Sequence, residues 1–424
     1  MTQRTLEQWL DWQSALNPKS IELGLERVAQ VWQVLGSPYP AQKVISVAGT
    51  NGKGSSVALL EGILRAAGYR VGCYTSPHLV RYNERIRIDG RNAEDRSICE
   101  AFEQIEQARG DTKLTYFEFG TLAALLLFSQ SQLDVALLEV GLGGRLDAVN
   151  IVDADVALIT GIGLDHTDWL GETLEQIGRE KAGIMRAGRP AVFAAPEMPD
   201  SVASVAEEVG ARLIRVGHDY GYHASRDGWD WQGVSSRRTA LPLPGMRGAI
   251  QLQNAAAALT VLDCLQPMLP IDQKAVRTGL LEARIAGRFE VHQRTCRWVL
   301  DVGHNPQAVA HLAAQVGDVF VKGKVHAVVG MLRDKAIAEV FAEIAPRIDC
   351  WHLLDLSGEH RGASAVELRE ALADVEPATA EEWNDVNACF SSLDRRLQED
   401  DLVVVFGSFV TVGKALAWLH ETGE

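Results

Sequence analysis

The run Gly49-Thr50-Asn51-Gly52-Lys53-Gly54-Ser55-Ser56 packs three glycines, a lysine and three hydroxyls into eight residues. Successive backbone N–H groups in such a turn, continued by a helix N-terminus, form a cradle for phosphate oxygens, and a lysine adds a point charge. Thr50, Asn51, Gly52, Lys53, Gly54 and Ser55 are therefore the expected phosphate binders, with Lys53 reaching the outer phosphates. The pattern G-x-x-x-x-G-K-[ST] is not met: Val47 stands at the first glycine position and Gly54 separates Lys53 from Ser55. A glycine turn with a solvated lysine is the plainer alternative; the flanking apolar strand and helical pattern favour phosphate.

Phosphate chemistry at such a loop calls for Mg²⁺, a hard cation that takes oxygen ligands and retains waters. Glu139 ends an apolar stretch, where a carboxylate is costly without a metal or a partner. The six cysteines are scattered, with no CxxC pair and no histidine at metal spacing, so buried reduced thiols are expected, without disulfides or zinc. A net charge of −15 argues against a nucleic-acid surface but leaves room for small anions held locally. The start lacks an apolar run after its basic residue and no stretch of about 18 apolar residues follows, which points to the cytoplasm and to no membrane contact.

These residues need a scaffold. At 424 residues, 47% hydrophobic and 23% charged, the chain suits a globular protein of two or three domains. After an opening amphipathic helix, Lys43 to Ala48 reads as a buried strand, and the glycine loop leads into a helix from Val57 to Ala67. Strands are expected at 70–74, 134–140 and 155–160, with a helix over 119–128. Strands alternating with helices imply a mostly parallel sheet with helices on both faces. Residues 218–238 read as a hairpin-like insertion, and an Ala-rich helix resumes over 253–265. The pattern resets near Ala286-Gly287-Arg288, then gives strands at 298–301, 325–329 and 402–406. The expectation is an α/β protein: a P-loop ATPase-like N-terminal domain over 1–287 and a smaller Rossmann-like domain over 288–424.

The string GTNGKGS resembles the ATP loop of the Mur ligase superfamily, and glycine after the lysine is similar to its folylpolyglutamate synthase branch. Thr75-Ser76-Pro77-His78-Leu79, Glu139 to Asp147, Asp165-His166-Thr167-Asp168, Glu180-Lys181-Ala182-Gly183-Ile184 and Asp301-Val302-Gly303-His304-Asn305-Pro306 follow in that family's order, through both expected domains. The family more often has alanine where Gly303 stands.

The resemblance implies an ATP-dependent ligase that joins L-glutamate to a pterin-type carboxylate through an acyl phosphate. It implies Ser76, Glu139 and His166 as Mg²⁺ contacts, and Lys181 as a ligand for a second Mg²⁺ once carbamylated by CO₂. Lys53, His166 and Lys181 are the implied catalytic set, and Asn254, Arg288 and Asp301 further ATP contacts. Taken singly, each has a plain reading: a turn hydroxyl, a loop histidine, a surface lysine paired with Glu180, a helix amide. Ser20, Ile21, Glu22 and Leu23, then Thr115, Tyr116, Phe117 and Glu118, then Leu146, Asp147 and Ala148 resemble the dihydropteroate-contacting segments of the bacterial bifunctional enzymes. An aromatic ring there can stack on a pterin and a carboxylate can accept from its ring nitrogens; an ordinary core aromatic with capping acids is the alternative. A monomer is implied, closing about the Gly287 region. Competing readings are a synthase that only extends folates, a P-loop kinase or GTPase, and a non-catalytic nucleotide-responsive module.

Overall fold

The computed structural model describes residues 4–17, 21–225, 228–375 and 380–423. Contacts divide the chain into two compact units, the first made of 1–78, 83–245 and 249–284 and the second of 79–82, 246–248 and 285–424.

The first unit is built on eight strands: β1 (Lys43–Ala48), β2 (Val71–Tyr74), β3 (Ile86–Ile88), β4 (Arg91–Asn92), β5 (Val135–Glu139), β6 (Val156–Ile159), β7 (Pro190–Phe193) and β8 (Arg212–Arg215). Their order is β4-β3-β2-β5-β1-β6-β7-β8. From β2 to β8 all neighbours pair in parallel, and β3 and β4 close one edge as an antiparallel hairpin. Side chains alternate between faces, so the unbroken burial of β5 and β6 means that both faces are covered. Val44, Ile45, Val47 and Ala48 of β1 are likewise fully enclosed. Strand β1 lies at the centre, where the strand order reverses, and the carboxyl ends of parallel strands at such a point are where α/β sheets hold ligands.

The helix Lys53–Ala66 leaves the loop after β1 and packs against the helix Gln273–Glu282 with almost no side chain between them. A Cβ placed on Gly279 would fall 2.4 Å from the Ile63 backbone, and one on Gly62 would fall 2.9 Å from the Gly279 carbonyl oxygen. Glycine at both positions lets the two backbones touch.

Two expectations need correction. The amphipathic opening is two helices, Leu6–Leu16 and Glu26–Val34, rather than one. The insertion after His218 is a three-stranded antiparallel sheet, β9 (Gly221–Ser225), β10 (Gly228–Gln232) and β11 (Arg237–Leu241). Trp229 and Trp231 on β10 are both 1% exposed, and the Trp231 indole N–H donates to Thr260 Oγ1 in the helix Ile250–Leu265 at 3.2 Å. Two tryptophans two residues apart supplied enough buried area to order a third strand, which the polar composition hid.

The second unit holds β12 (Glu290–Gln293), β13 (Arg297–Leu300), β14 (Val325–Val329), β15 (Cys350–Leu354), β16 (Ala380–Trp383) and β17 (Leu402–Phe406), in the order β12-β13-β17-β14-β15-β16. All are parallel except β12 against β13. Alternate residues of β13, β14 and β17 divide between two cores: Val299, Ala327, Val329, Val404 and Phe406 on one face, Trp298, Leu300, Val328, Val403 and Val405 on the other. No helix among the described residues is long and apolar enough to cross a membrane.

Candidate functional site

Four strand ends converge: Gly49 follows β1, Ser76 follows β2, Glu139 ends β5, and Thr160 to His166 follow β6. Gly49 (φ +144°) and Gly52 (φ +86°) hold backbone conformations that favour glycine, and Gly52 is the N-cap of the helix Lys53–Ala66. A Cβ on Gly49 would sit 1.9 Å from Thr160 Oγ1. The loop is laced to the end of β6. The Thr160 hydroxyl donates to the Asn51 carbonyl at 2.6 Å, and the Thr50 N–H to the Gly161 carbonyl at 2.9 Å. The Thr50 hydroxyl accepts from Gly163 N–H at 2.9 Å and donates to its carbonyl at 3.1 Å. Asn254, 2% exposed, presents Oδ1 to Gly52, where a Cβ would fall 2.8 Å away. Lys53 bends over its own loop, its Nζ donating to the carbonyls of Gly49 at 3.0 Å and Thr50 at 3.2 Å.

Lys181 is the least expected member. In sequence it reads as a surface lysine paired with Glu180, yet it is 5% exposed and Glu180 pairs with Arg145 at 2.8 Å. Its Nζ instead donates to the Gly49 carbonyl at 3.1 Å. Burial lowers its pKa from 10.5 to about 7; the Lys53 charge pushes the same way, and Asp165 and Asp147 oppose. What sets its depth is Gly144: a Cβ there would meet the Glu180 carbonyl at 2.8 Å and the Lys181 carbonyl at 2.9 Å, so only glycine lets the 143–145 turn lie on the helix Leu174–Ala182. The Gly143-Gly144 pair was the visible signal for this contact.

Glu139, 5% exposed, accepts from the Ser76 N–H at 3.2 Å, beside the cis bond to Pro77. His166 caps the short helix Thr167–Leu170 in a left-handed conformation, its N–H donating to Asp165 at 2.9 Å. Among the described residues no three histidine, cysteine or acidic side chains form a ready metal cage. Mg²⁺ is seldom held in such a cage; it takes one or two carboxylates and fills the rest with phosphate oxygens and water, so the adjacent Ser76 and Glu139 suit a cation shared with a nucleotide.

The three segments expected to hold the pterin come together, except that Ser20 lies outside the described residues. The Gly24 N–H donates to the Leu146 carbonyl at 3.3 Å. Arg27, which sequence reasoning missed, pairs with Glu22 at 3.4 Å and Glu118 at 3.1 Å. Ile21, Glu22, Leu23, Tyr116 and Phe117 are half-buried. The Phe117 ring lies 5.8 Å from that of Tyr74 and covers Gly141, where a Cβ would be 2.5 Å from Cζ. The Arg85 guanidinium sits 5.5 Å over Tyr116, and its Nε donates to His78 Nδ1 at 2.8 Å.

Both acids serve as caps here. Glu118 and Thr115 form a reciprocal capping box. Asp147 accepts from Leu142 N–H at 2.8 Å and Val149 N–H at 3.0 Å, and Ala148 opens the short helix that it caps. Burial nevertheless pushes the Asp147 carboxyl up to about 6, against those hydrogen bonds and the Lys53 charge.

In the second unit, Asp301 accepts from the N–H groups of Phe289 at 2.9 Å and Gly303 at 2.8 Å. Burial raises its pKa while the Arg288 charge lowers it. Arg288 lies 5.6 Å over the Phe409 ring, and His304 Nδ1 donates to the Val302 carbonyl at 2.8 Å.

A Mur ligase middle-domain model matches residues 47–262 and a Mur ligase glutamate-ligase-domain model matches 287–409. The chain is 46% identical over 413 residues to the dihydrofolate synthase/folylpolyglutamate synthase of Escherichia coli (strain K12), a match spanning 97% of this chain and 94% of that one. It belongs to the dihydrofolate synthase/folylpolyglutamate synthase branch of the Mur ligase family. Solved members of that branch superpose closely. Escherichia coli FolC in complex with DHPP and ADP is 44% identical, with a TM-score of 0.93 over 99% of each chain. The bifunctional enzyme from Yersinia pestis CO92, complexed with AMPPNP and Mn, is 49% identical, with a TM-score of 0.91 over 98% of each chain.

Proposed function

We propose that this protein is an ATP-dependent carboxylate–amine ligase of this Mur ligase branch. It adds L-glutamate to 7,8-dihydropteroate, forming dihydrofolate, and to tetrahydrofolate, forming polyglutamates. One observation carries the reading at the site: two amines, Lys53 and a buried Lys181, converge on the Gly49 carbonyl at the mouth of a glycine loop. A glycine turn that merely reversed the chain would not need a second, costly buried lysine.

In the reaction, a substrate carboxylate oxygen attacks the γ-phosphorus of ATP and ADP leaves, giving an acyl phosphate. The glutamate amine then attacks the acyl carbon, and phosphate leaves from the tetrahedral intermediate as the amide forms. The backbone N–H groups of residues 50–54 and the helix N-terminus bind the phosphates. Lys53 adds charge where it develops on the transferred group. Asn254, Arg288 and Asp301 are carried as ATP contacts on the family's pattern.

Ser76, Glu139 and His166 would hold one Mg²⁺, and Lys181, once its neutral amine has added CO₂ and lost a proton to become a carbamate, a second. Bound there, the ions neutralise phosphate charge. Lys181 supports this because an amine with a pKa of about 7 is half neutral at pH 7, whereas an ordinary lysine is neutral in roughly one molecule in 3,000. The pterin ring would rest against Tyr116 and Phe117 and meet Asp147, with Ile21, Glu22, Leu23, Thr115, Glu118, Leu146 and Ala148 around it. Residues 1–287 form the ATP and pterin domain and 288–424 the glutamate-ligase domain of a cytoplasmic monomer.

The test is phosphate release from ATP with dihydropteroate, tetrahydrofolate or neither, each with and without L-glutamate. Release requiring glutamate with either pterin is expected. Release with tetrahydrofolate alone would reduce the activity to chain extension, and release with neither, while ATP still binds, would refute the folate assignment.

A further inference from the structure

Glu61 and Arg87 lie beside this site without belonging to its implied residue set. Glu61 is on the helix that follows the phosphate loop and is 8% exposed; Arg87 is on β3, in register with Cys73 of β2. Arg87 donates from Nε at 3.2 Å and Nη2 at 2.8 Å, both to Glu61 Oε2. Its Nη1 donates to Thr75 Oγ1 at 3.3 Å and to the Glu84 carbonyl at 3.4 Å. The next residue, Ser76, gives its N–H to Glu139. One half-buried cation and one buried carboxylate thus grip consecutive residues of a single turn.

As a stabilising pair this arrangement is poor. Both donors share one oxygen of Glu61, and the other, Oε1, is buried with no nitrogen or oxygen donor, only the weakly donating Cys73 thiol lying by the carboxylate. An unsatisfied buried acceptor is expensive, and a buried ion pair often gives less stability than well-packed apolar side chains. The pair makes more sense as a placement device. Besides Glu61, the carboxylate whose charge acts on the guanidinium is Glu139, which holds the residue next to the Thr75 that Arg87 grips.

We infer that Glu61 is a positioning residue that holds the Arg87 guanidinium off the Glu139 carboxylate and so keeps Glu139 available to a divalent cation. The inference rests on the proposed role of Glu139 at the metal. Its signature is a coupling between two residues that do not themselves contact the cation. Removing the charge of Glu61 frees Arg87 to compete for Glu139, and removing both charges ends the competition.

The experiment titrates Mn²⁺ into the full chain with a non-hydrolysable ATP analogue and reads free Mn²⁺ from its paramagnetic resonance signal. Glu61→Gln is expected to weaken Mn²⁺ binding about tenfold, the effect of one opposite charge brought against a carboxylate. Glu61→Gln combined with Arg87→Met is expected to return to within about twofold of the parent, a non-additivity that simple loosening of the fold does not produce. Parent-like binding by Glu61→Gln, with binding lost in Glu139→Ala, overturns the inference. A double variant as weak as the single one overturns it as well. If Glu139→Ala binds Mn²⁺ like the parent, the metal role of Glu139 is wrong and the inference falls with it. Should Glu61→Gln fail to fold, Glu61→Asp replaces it: the shorter arm keeps the charge but draws it away from the guanidinium, so a smaller weakening is expected, again removed by Arg87→Met.

Discussion

Replacing Lys181 with methionine keeps a long apolar stem and deletes the amine. With a pKa of 10.5 in the unfolded chain and about 7 in the folded one, the lysine opposes folding. Below pH 7 it is protonated in both states, and the folded protein bears the whole cost of a buried ammonium, about 5 kcal/mol at 1.36 kcal/mol per pKa unit. Between pH 7 and 10.5 the unfolded chain binds the extra proton, so stability rises with pH and the cost fades. It comes to roughly 5 kcal/mol at pH 6.5 and to about 1 kcal/mol at pH 9.5. Methionine forfeits the hydrogen bond to Gly49, worth about 1 kcal/mol, although that carbonyl still accepts from Lys53. The Lys181→Met variant should therefore be more stable by roughly 3 to 4 kcal/mol at pH 6.5 and by less than about 1 kcal/mol at pH 9.5. At about 2 °C per kcal/mol, that is a Tm some 7 °C higher at the lower pH. Calorimetry of parent and variant in CO₂-free buffers at both pH values measures the difference, with shared pH effects cancelling. A variant that melts below the parent at pH 6.5, or a gain that does not shrink with pH, refutes the reasoning. Ligase activity should be lost in the same variant, so the residue trades stability for chemistry.

Gly279→Ala should drive a methyl into the Ile63 backbone and lower the denaturation midpoint by the equivalent of about 1–3 kcal/mol; an unchanged urea curve would show that the helices can part. In Gly49→Ala the Cβ collides with Thr160 in an unfavourable conformation, and fluorescence titration should show at least about a hundredfold weaker nucleotide binding. Arg27→Ala should raise KM for dihydropteroate about tenfold and leave kcat within about twofold, since it unties Glu22 from Glu118; equal losses in both would contradict a positioning role. His326 and His352, 3.1 Å apart in the second unit and flanked by Glu381, Arg396 and Asp401, are held in the neutral form chiefly by burial. Because the unfolded chain binds more protons below its ordinary histidine pKa of 6.5, stability is present above that pH and falls as pH drops, and Tm should decrease by a few degrees from pH 7 to 5. His352→Gln should flatten that slope.

The central strands and the phosphate loop were legible because a fully buried parallel strand is an unbroken apolar run and a glycine turn announces a special backbone. The β3–β4 hairpin was not, since Ile86-Arg87-Ile88 is too short to show a period and its half-buried arginine is held by a specific partner, Glu61. Lys181 was legible as a candidate only through resemblance. Its burial could have been suspected from the helix face it shares with Ile177 and, beyond the helix end, Ile184, at spacings of four and three. The capping roles of Glu118 and Asp147 were legible as the plainer alternative, because Thr115-x-x-Glu118 and Asp147-x-Val149 are local signals that need no ligand. What escaped in each case is a contact between distant segments, such as Gly144 on the Lys181 helix or Arg27 between Glu22 and Glu118.

The central place of β1 also bears on synthesis. This strand leaves the ribosome early, yet both its neighbours come much later: β5 follows by roughly ninety residues, which at 5–20 residues per second leaves the apolar edge unpaired for about 5 to 18 s. Through that interval the nascent chain presents Val44, Ile45 and Val47 to whatever else is near. Asn254, which closes the loop over Gly52, emerges later still, so competence for nucleotide is acquired only near the end of translation of the first unit. Chains stalled before that point should be chaperone clients rather than partly active enzymes.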